Sequence, residues 1–259
     1  MFYRFKLKKI LPCPKIDKYN RFLFVGAHGC DIEKGAGATV SKLTGEGKEV
    51  KFVITTNSTD MVKIKGLTDE NKLLEIRQKE ALCSASILGV KEVEFLPISS
   101  FTENSIDNFF VELLKIVVNY KPDVIFVSDT FVPNEINSDD YFTSKAIEKV
   151  FLVCKNERLA NKFGVEHVNV KAIAYYNSIM KNYYVQTIGF GDTKLQAIMA
   201  HSSILPERAS DKFATMRSYK YLIKADMYHD GLKSFKIKAE GFRVVTYNGT
   251  HNMSQINFI

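Results

Sequence analysis

Within the six residues from His28 to Glu33 the chain carries an imidazole, a thiol and two carboxylates: His28, Cys30, Asp31 and Glu33. Imidazole nitrogen and carboxylate oxygen together are the donors a divalent metal takes. A second run of polar residues, Glu135, Asn137, Asp139 and Asp140, follows a later apolar stretch. If both runs leave the same edge of a parallel sheet, His28, Asp31 and Asp140 offer one nitrogen and two oxygen donors with open positions, as a Lewis-acid metal that activates water requires. The competing use is structural, because Asp139 or Asp140 can cap a helix N-terminus.

Cys30 has two uses of its own. As a nucleophile it needs a lowered pKa or a neighbouring base, and His28 lies two residues away. As a small thiol it fills space in a tight elbow, the commoner outcome. The glycines that follow, Gly35 and Gly37, could cradle a phosphate but fit neither the dinucleotide nor the Walker pattern; close helix packing accounts for them equally well. Arg77 and Glu80 have the spacing of a surface ion pair on one helix. His201, in the run MAHSS, closes a helix, where its ring can meet the helix dipole.

These residues need elements to hold them. Phe22 to Gly26 reads as a buried strand leading into a polar elbow, Ala27 to Glu33, and a glycine-punctuated helix start; Thr39 to Gly47 continues that helix. Glu49 to Thr55, Glu92 to Leu96 and the run 123–129 (DVIFVSD) are further strands. Helices are predicted over Thr68 to Leu88, Ser105 to Asn119 and Asp140 to Leu152, from apolar residues recurring at helical spacing. Later come strands at Val170 to Tyr176, Tyr184 to Ile188 and Ala239 to Tyr247, a helix from Asp192 (as N-cap) to Ser203, and another from Ser210 to Met227. An edge strand is expected at Tyr3 to Lys9. Strands alternating with helices predict an α/β, Rossmann-like fold: a mostly parallel sheet with helices on both faces. Such sheets place their chemistry at the carboxyl ends of the strands.

Composition narrows the classes. With 46% hydrophobic and 25% charged residues, the chain reads as an ordinary globular protein. Its 259 residues, with no linker-like run, are expected to form one domain. Four scattered cysteines without CxxC spacing argue against a zinc finger or a disulfide framework and for a reducing, cytoplasmic setting. No apolar run reaches the ~20 residues of a membrane span, and no nucleic-acid partner is expected. The net charge of +7 is compatible with an anionic substrate or lipid headgroups, or with a plain lysine-rich surface.

The run VGAHGCDIEKGAGAT resembles the signature of the PIG-L/LmbE-type N-deacetylases, whose usual form is AHPDDIExGxGGT. The likeness extends over residues 20–247. LLEIRQKEALCSASILGVKEVEFL resembles the family's helix carrying Arg-x-x-Glu and the strand after it; KPDVIFVSD with EINSDD resembles its third strand and HxDH loop; KLQAIMAHSS and AEGFRV resemble its C-terminal motifs. The resemblance implies a zinc-dependent amide hydrolase that removes acetyl groups from N-acetylglucosamine-type amino-sugar conjugates. It places His28, Asp31 and Asp140 at the metal-ligand positions, Asp140 replacing a histidine. Cys30 falls at the general base, Asn137 at the oxyanion histidine, and Asp139 on the aspartate of HxDH. Arg77 and His201 fall at substrate-binding positions, Glu240 matches as well, and Gly29 replaces a proline. The replacements gather at the chemistry while the scaffold motifs agree. The expectation is therefore a metal-dependent deacetylase with weakened or altered chemistry; the alternatives are a non-catalytic relative that binds a sugar conjugate or partners another enzyme, and a hydrolase or transferase using Cys30 as nucleophile. Oligomeric state is not legible.

Overall fold

The computed structural model describes residues 14–100, 104–131 and 136–247. Seven strands form one sheet: β1 (Arg21–Gly26), β2 (Glu49–Thr56), β3 (Glu92–Ile98), β4 (Val124–Ser128), β5 (Ala172–Tyr176), β6 (Tyr183–Gln186) and β7 (Ala239–Val245), in the order β3-β2-β1-β4-β5-β7-β6. The helices are α1 (Asp31–Gly45), α2 (Glu70–Ile87), α3 (Ile106–Tyr120), α4 (Ser138–Lys155), α5 (Glu157–Lys162), α6 (Gly191–Ala200) and α7 (Ala209–Lys233). The fold is α/β with a mostly parallel sheet, as the alternation of elements predicts. β2 pairs with β3 and β4 with β5 in parallel, whereas β5 pairs with β7 antiparallel.

By contacts the chain groups into two compact units. One is centred on β4, β5 and α3 to α5. All five residues of β4 and of β5 are buried, which is why they read as unbroken apolar runs rather than alternating ones. Phe126 on β4 packs edge-on against Phe242 of β7, with ring centroids 5.1 Å apart. The other unit holds β2, β3, α1, α2, α6 and α7. Here Ala38, Ile198, Ile223 and Met227 form a buried cluster. α1 and α6 approach closely at Gly37, where an added Cβ would meet Lys194 Cγ at 3.1 Å. Glu240 fixes this packing: it accepts from the backbone N of Thr39 (2.7 Å) and from Lys194 Nζ (2.6 Å). Gly37 thus serves helix packing.

Several boundaries differ from the sequence reading. α1 begins at Asp31, so the elbow is confined to Ala27–Cys30 and Glu33 is helical. α6 begins at Gly191 with Phe190 as its N-cap; Asp192 lies in the first turn and caps nothing. α7 runs six residues past Met227, to Lys233. The strand expected at Tyr3 to Lys9, and Glu135, lie outside the described residues. No helix among the described residues is long and apolar enough to cross a membrane.

Candidate metal centre

The loop after β1 is organised by one carboxylate. Asp31 Oδ2 accepts from the backbone N of His28 at 2.6 Å and lies 3.2 Å from His28 Nδ1. The sequence folds this way because Asp31 opens α1: a carboxylate in a first turn complements the helix dipole, and a short acidic side chain reaches back to the preceding turn. Burial works against the Asp31 charge, but the hydrogen bond and charge of His28 outweigh it and hold the carboxyl below its ordinary pKa. His28 itself is buried.

Cys30 is the N-cap residue of α1, and its side chain makes no capping bond. It is 2% exposed. Burial, reinforced by the charge of Asp31, pushes its thiol up to about 11. A nucleophilic cysteine requires the opposite shift, so this environment does not activate Cys30.

Behind the elbow lies a layer of buried polar groups. Glu33 accepts from Ser84 Oγ at 2.5 Å and lies 3.1 Å from His201 Nε2. Arg77 Nη1 donates to Glu80 at 2.9 Å. Glu80 also accepts from Ser202 Oγ, Ser203 N and Ser203 Oγ, at 3.0, 2.6 and 2.6 Å. Arg77 and Glu80 are therefore a buried pair, 3% and 8% exposed, and not the surface pair that spacing suggests. Among the described residues, Arg77 Nε and Nη2 and Glu33 Oε2 meet no hydrogen-bond partner. Gly29 lies against this layer: a Cβ there would come 3.1 Å from Arg77 Nη2 and 3.7 Å from His201 Cε1. Arg77 and Gly29 line a small cavity, of about 20 Å³, together with Asn57 and Ser58.

The second acidic run starts α4. Asn137 is the N-cap and its side-chain oxygen accepts from Asp139 N at 2.9 Å, while Asp139 and Asp140 occupy the first turn, both buried. The cap is thus Asn137 and neither aspartate. At the end of β4, Asp129 receives two bonds from Arg243, Nε at 2.8 Å and Nη2 at 2.6 Å. Sequence reading missed this pair. Asp129 stands in the strand motif, but nothing in the spacing links it to a residue 114 positions away.

His28, Asp31 and Asp140 make a His/Asp/Asp group that could bind a metal ion. One imidazole with two carboxylates is a donor set that fits a divalent cation of the zinc or manganese type.

Residues 23–151 match the PIG-L family, described as GlcNAc-PI de-N-acetylase. Over residues 23–151 the chain carries a PIG-L family domain. A relative of this PIG-L domain is the diacetylchitobiose deacetylase of Thermococcus kodakarensis, 25% identical over 228 residues, covering 87% of this chain and 83% of that protein. The N,N'-diacetylchitobiose deacetylase of Pyrococcus horikoshii has the same fold, with a TM-score of 0.85 at 24% identity, over 100% of this chain and 97% of the other. So does the 4-carboxy-2-hydroxymuconate hydratase of Pseudomonas putida, with a TM-score of 0.72 at 17% identity, over 91% and 100%. One scaffold thus carries hydrolysis in one protein and hydration in another, and the chemistry has to be argued from the site.

Proposed function

We propose that this PIG-L domain is a metal-dependent amide hydrolase that removes acetyl groups from N-acetylglucosamine-type sugar conjugates, at a rate limited by the loss of a carboxylate base. The observation that carries the reading is the His28–Asp31 pair at the carboxyl end of β1 within a domain of this family. Two deacetylases similar to this chain over most of its length act, by their names, on diacetylchitobiose. Their names support an acetylated amino sugar as the class of substrate.

His28, Asp31 and Asp140 would hold the cation. When bound, it supplies Lewis acidity toward an amide carbonyl and water. The chain's own residues then do the following work. Asp31 fixes the ring of His28, and through its backbone bond it fixes the loop. Asn137, anchored to Asp139 N, can donate a hydrogen bond to a developing oxyanion but cannot supply a proton. Arg77, its charge paired with Glu80 through Nη1, turns Nη2 toward Gly29 and can donate from there to a polar group of the substrate. His201 acts at one remove, through Glu33 and the underside of the elbow.

The step left short is proton removal from water. A buried thiol stands where the family resemblance puts a carboxylate, and loss of a general base costs about 10²–10⁴ in rate. The test is acetate release from N,N'-diacetylchitobiose and N-acetylglucosamine by zinc-loaded protein, parent against Cys30→Asp. The expected result is slow turnover by the parent and a gain of at least about tenfold in the variant. If neither protein releases acetate while both bind one metal per chain, the sugar-binding, non-catalytic reading replaces this one.

A further inference from the structure

Helix α7 has two apolar faces. Ile223 and Met227 point into the buried cluster with Ala38 and Ile198, and Tyr219 packs beside them. Tyr221, Tyr228 and Leu232 recur at helical spacing roughly half a turn away, and each is more than half exposed. The second stripe lies apart from the buried cluster.

The stripe continues into the turn after α7. Gly231 is pressed against the returning chain: a Cβ there would come 2.7 Å from Lys236 O and 2.8 Å from Ile237 O. Lys236 N donates to Gly231 O at 2.8 Å. This tight return holds Phe235 in the left-handed region, at φ 57, and displays its ring wholly to solvent, 101% exposed. Ile237 follows at 71%. A left-handed backbone is costly for a bulky residue, so an ordered turn, rather than a frayed helix end, presents this side chain.

Lysines accompany the stripe. Lys220 and Lys224 of α7, with Lys238, line a cavity of about 90 Å³ floored by Ile223 and Met227, in which Asp192 is the acidic residue. Arg217 lies 5.8 Å from the ring of Tyr221. Lys224 flanks Tyr221 and Tyr228 at three- and four-residue spacing, and exposed aromatic and aliphatic groups with lysine along one side are the composition of a surface that seats in the headgroup layer of a membrane.

We propose that α7 and the turn at Phe235 dock this protein on an anionic phospholipid surface, with Lys220, Lys224 and Lys238 against headgroup phosphates and the Tyr228–Leu232–Phe235 edge at the acyl boundary. Charge decides the occupant. A two-fold contact with a second copy would set the same lysines against each other, whereas an anionic bilayer complements them.

The test is co-sedimentation of the full chain with neutral phosphatidylcholine vesicles and with vesicles containing about one-third phosphatidylglycerol. Expected are at least about tenfold tighter partitioning on the anionic vesicles and its loss at high salt. The combined Lys220→Gln, Lys224→Gln and Lys238→Gln change should lower it roughly a hundredfold. The chain has no tryptophan, so Phe235→Trp gives a single reporter whose emission should shift to the blue on anionic vesicles alone. Equal or absent binding to the two vesicle types overturns the proposal. So does a concentration-dependent dimer, seen by light scattering and abolished by Leu232→Glu, in a protein that ignores vesicles.

Discussion

Asp31 grips His28 twice, through the backbone N at 2.6 Å and beside the ring nitrogen Nδ1 at 3.2 Å. One side chain therefore sets both the loop and the imbalance of charge in it. Asp31→Asn keeps an acceptor for the backbone bond and removes the charge, so zinc affinity should fall by more than about tenfold while stability changes by less than about 1 kcal/mol. Asp31→Ala should lose both, with a further drop in thermal midpoint. Isothermal titration with zinc and thermal melts of the three proteins separate the two effects.

Thiol chemistry gives an independent reading of Cys30. Cys83 is exposed, while Cys30 and Cys154 are buried. With its thiol pushed up to about 11, Cys30 is almost wholly protonated at neutral pH, and its thiolate fraction keeps growing past the pH at which an ordinary thiol, of pKa ~8.5, has levelled off. In the native protein near neutral pH, Cys83 should be alkylated at least about a hundredfold faster than Cys30, as read by peptide mass mapping. Fast native labelling of Cys30 would remove the account of its environment given above and revive its role as a nucleophile.

Acid should act on Asp129. Burial opposes its charge, but the two bonds from Arg243 more than compensate and hold the carboxyl below its ordinary pKa. A depressed folded pKa means that the native state keeps the carboxylate longer than the unfolded chain does. The stabilisation is complete above the unfolded value, ~3.9, and is lost as the pH falls through the lower folded value. Asp129→Asn should destabilise by about 3 kcal/mol at neutral pH, because Arg243 is left without its counter-charge, and the variant's urea midpoint should show a flatter decline below pH 4 than the parent's.

The Arg77–Glu80 pair offers a double-mutant test. Glu80→Ala strands a guanidinium that is 3% exposed and also removes the acceptor of Ser203 N; a loss of about 3–5 kcal/mol is expected. Arg77→Met combined with Glu80→Gln carries no unpaired charge and should be clearly less destabilising than Glu80→Ala alone. Strict additivity of the single changes in denaturant melts would contradict the pairing.

The sequence by itself carried the order of elements and the strand that leads into the elbow. It also carried the residue types of the donor set, since these depend on local patterning: unbroken β-branched runs bury on both faces of a sheet, and His28 with Asp31 needs only three residues of backbone to meet. It placed Arg77 and Glu80 together but on the surface, because an i,i+3 spacing says nothing of what covers a helix face. Only the packing of Ser202 and Ser203 against α2 made that pair an interior one. Gly37 of α1 reads equally as part of a phosphate cradle or as a packing surface, and the approach of Lys194, held by Glu240, makes it the latter. Asp129 and Arg243 lay unconnected in the sequence, and Cys30 was an ambiguous thiol. Burial and neighbouring charge decide such groups, and both are properties of residues brought close by the tertiary fold, which no local spacing encodes.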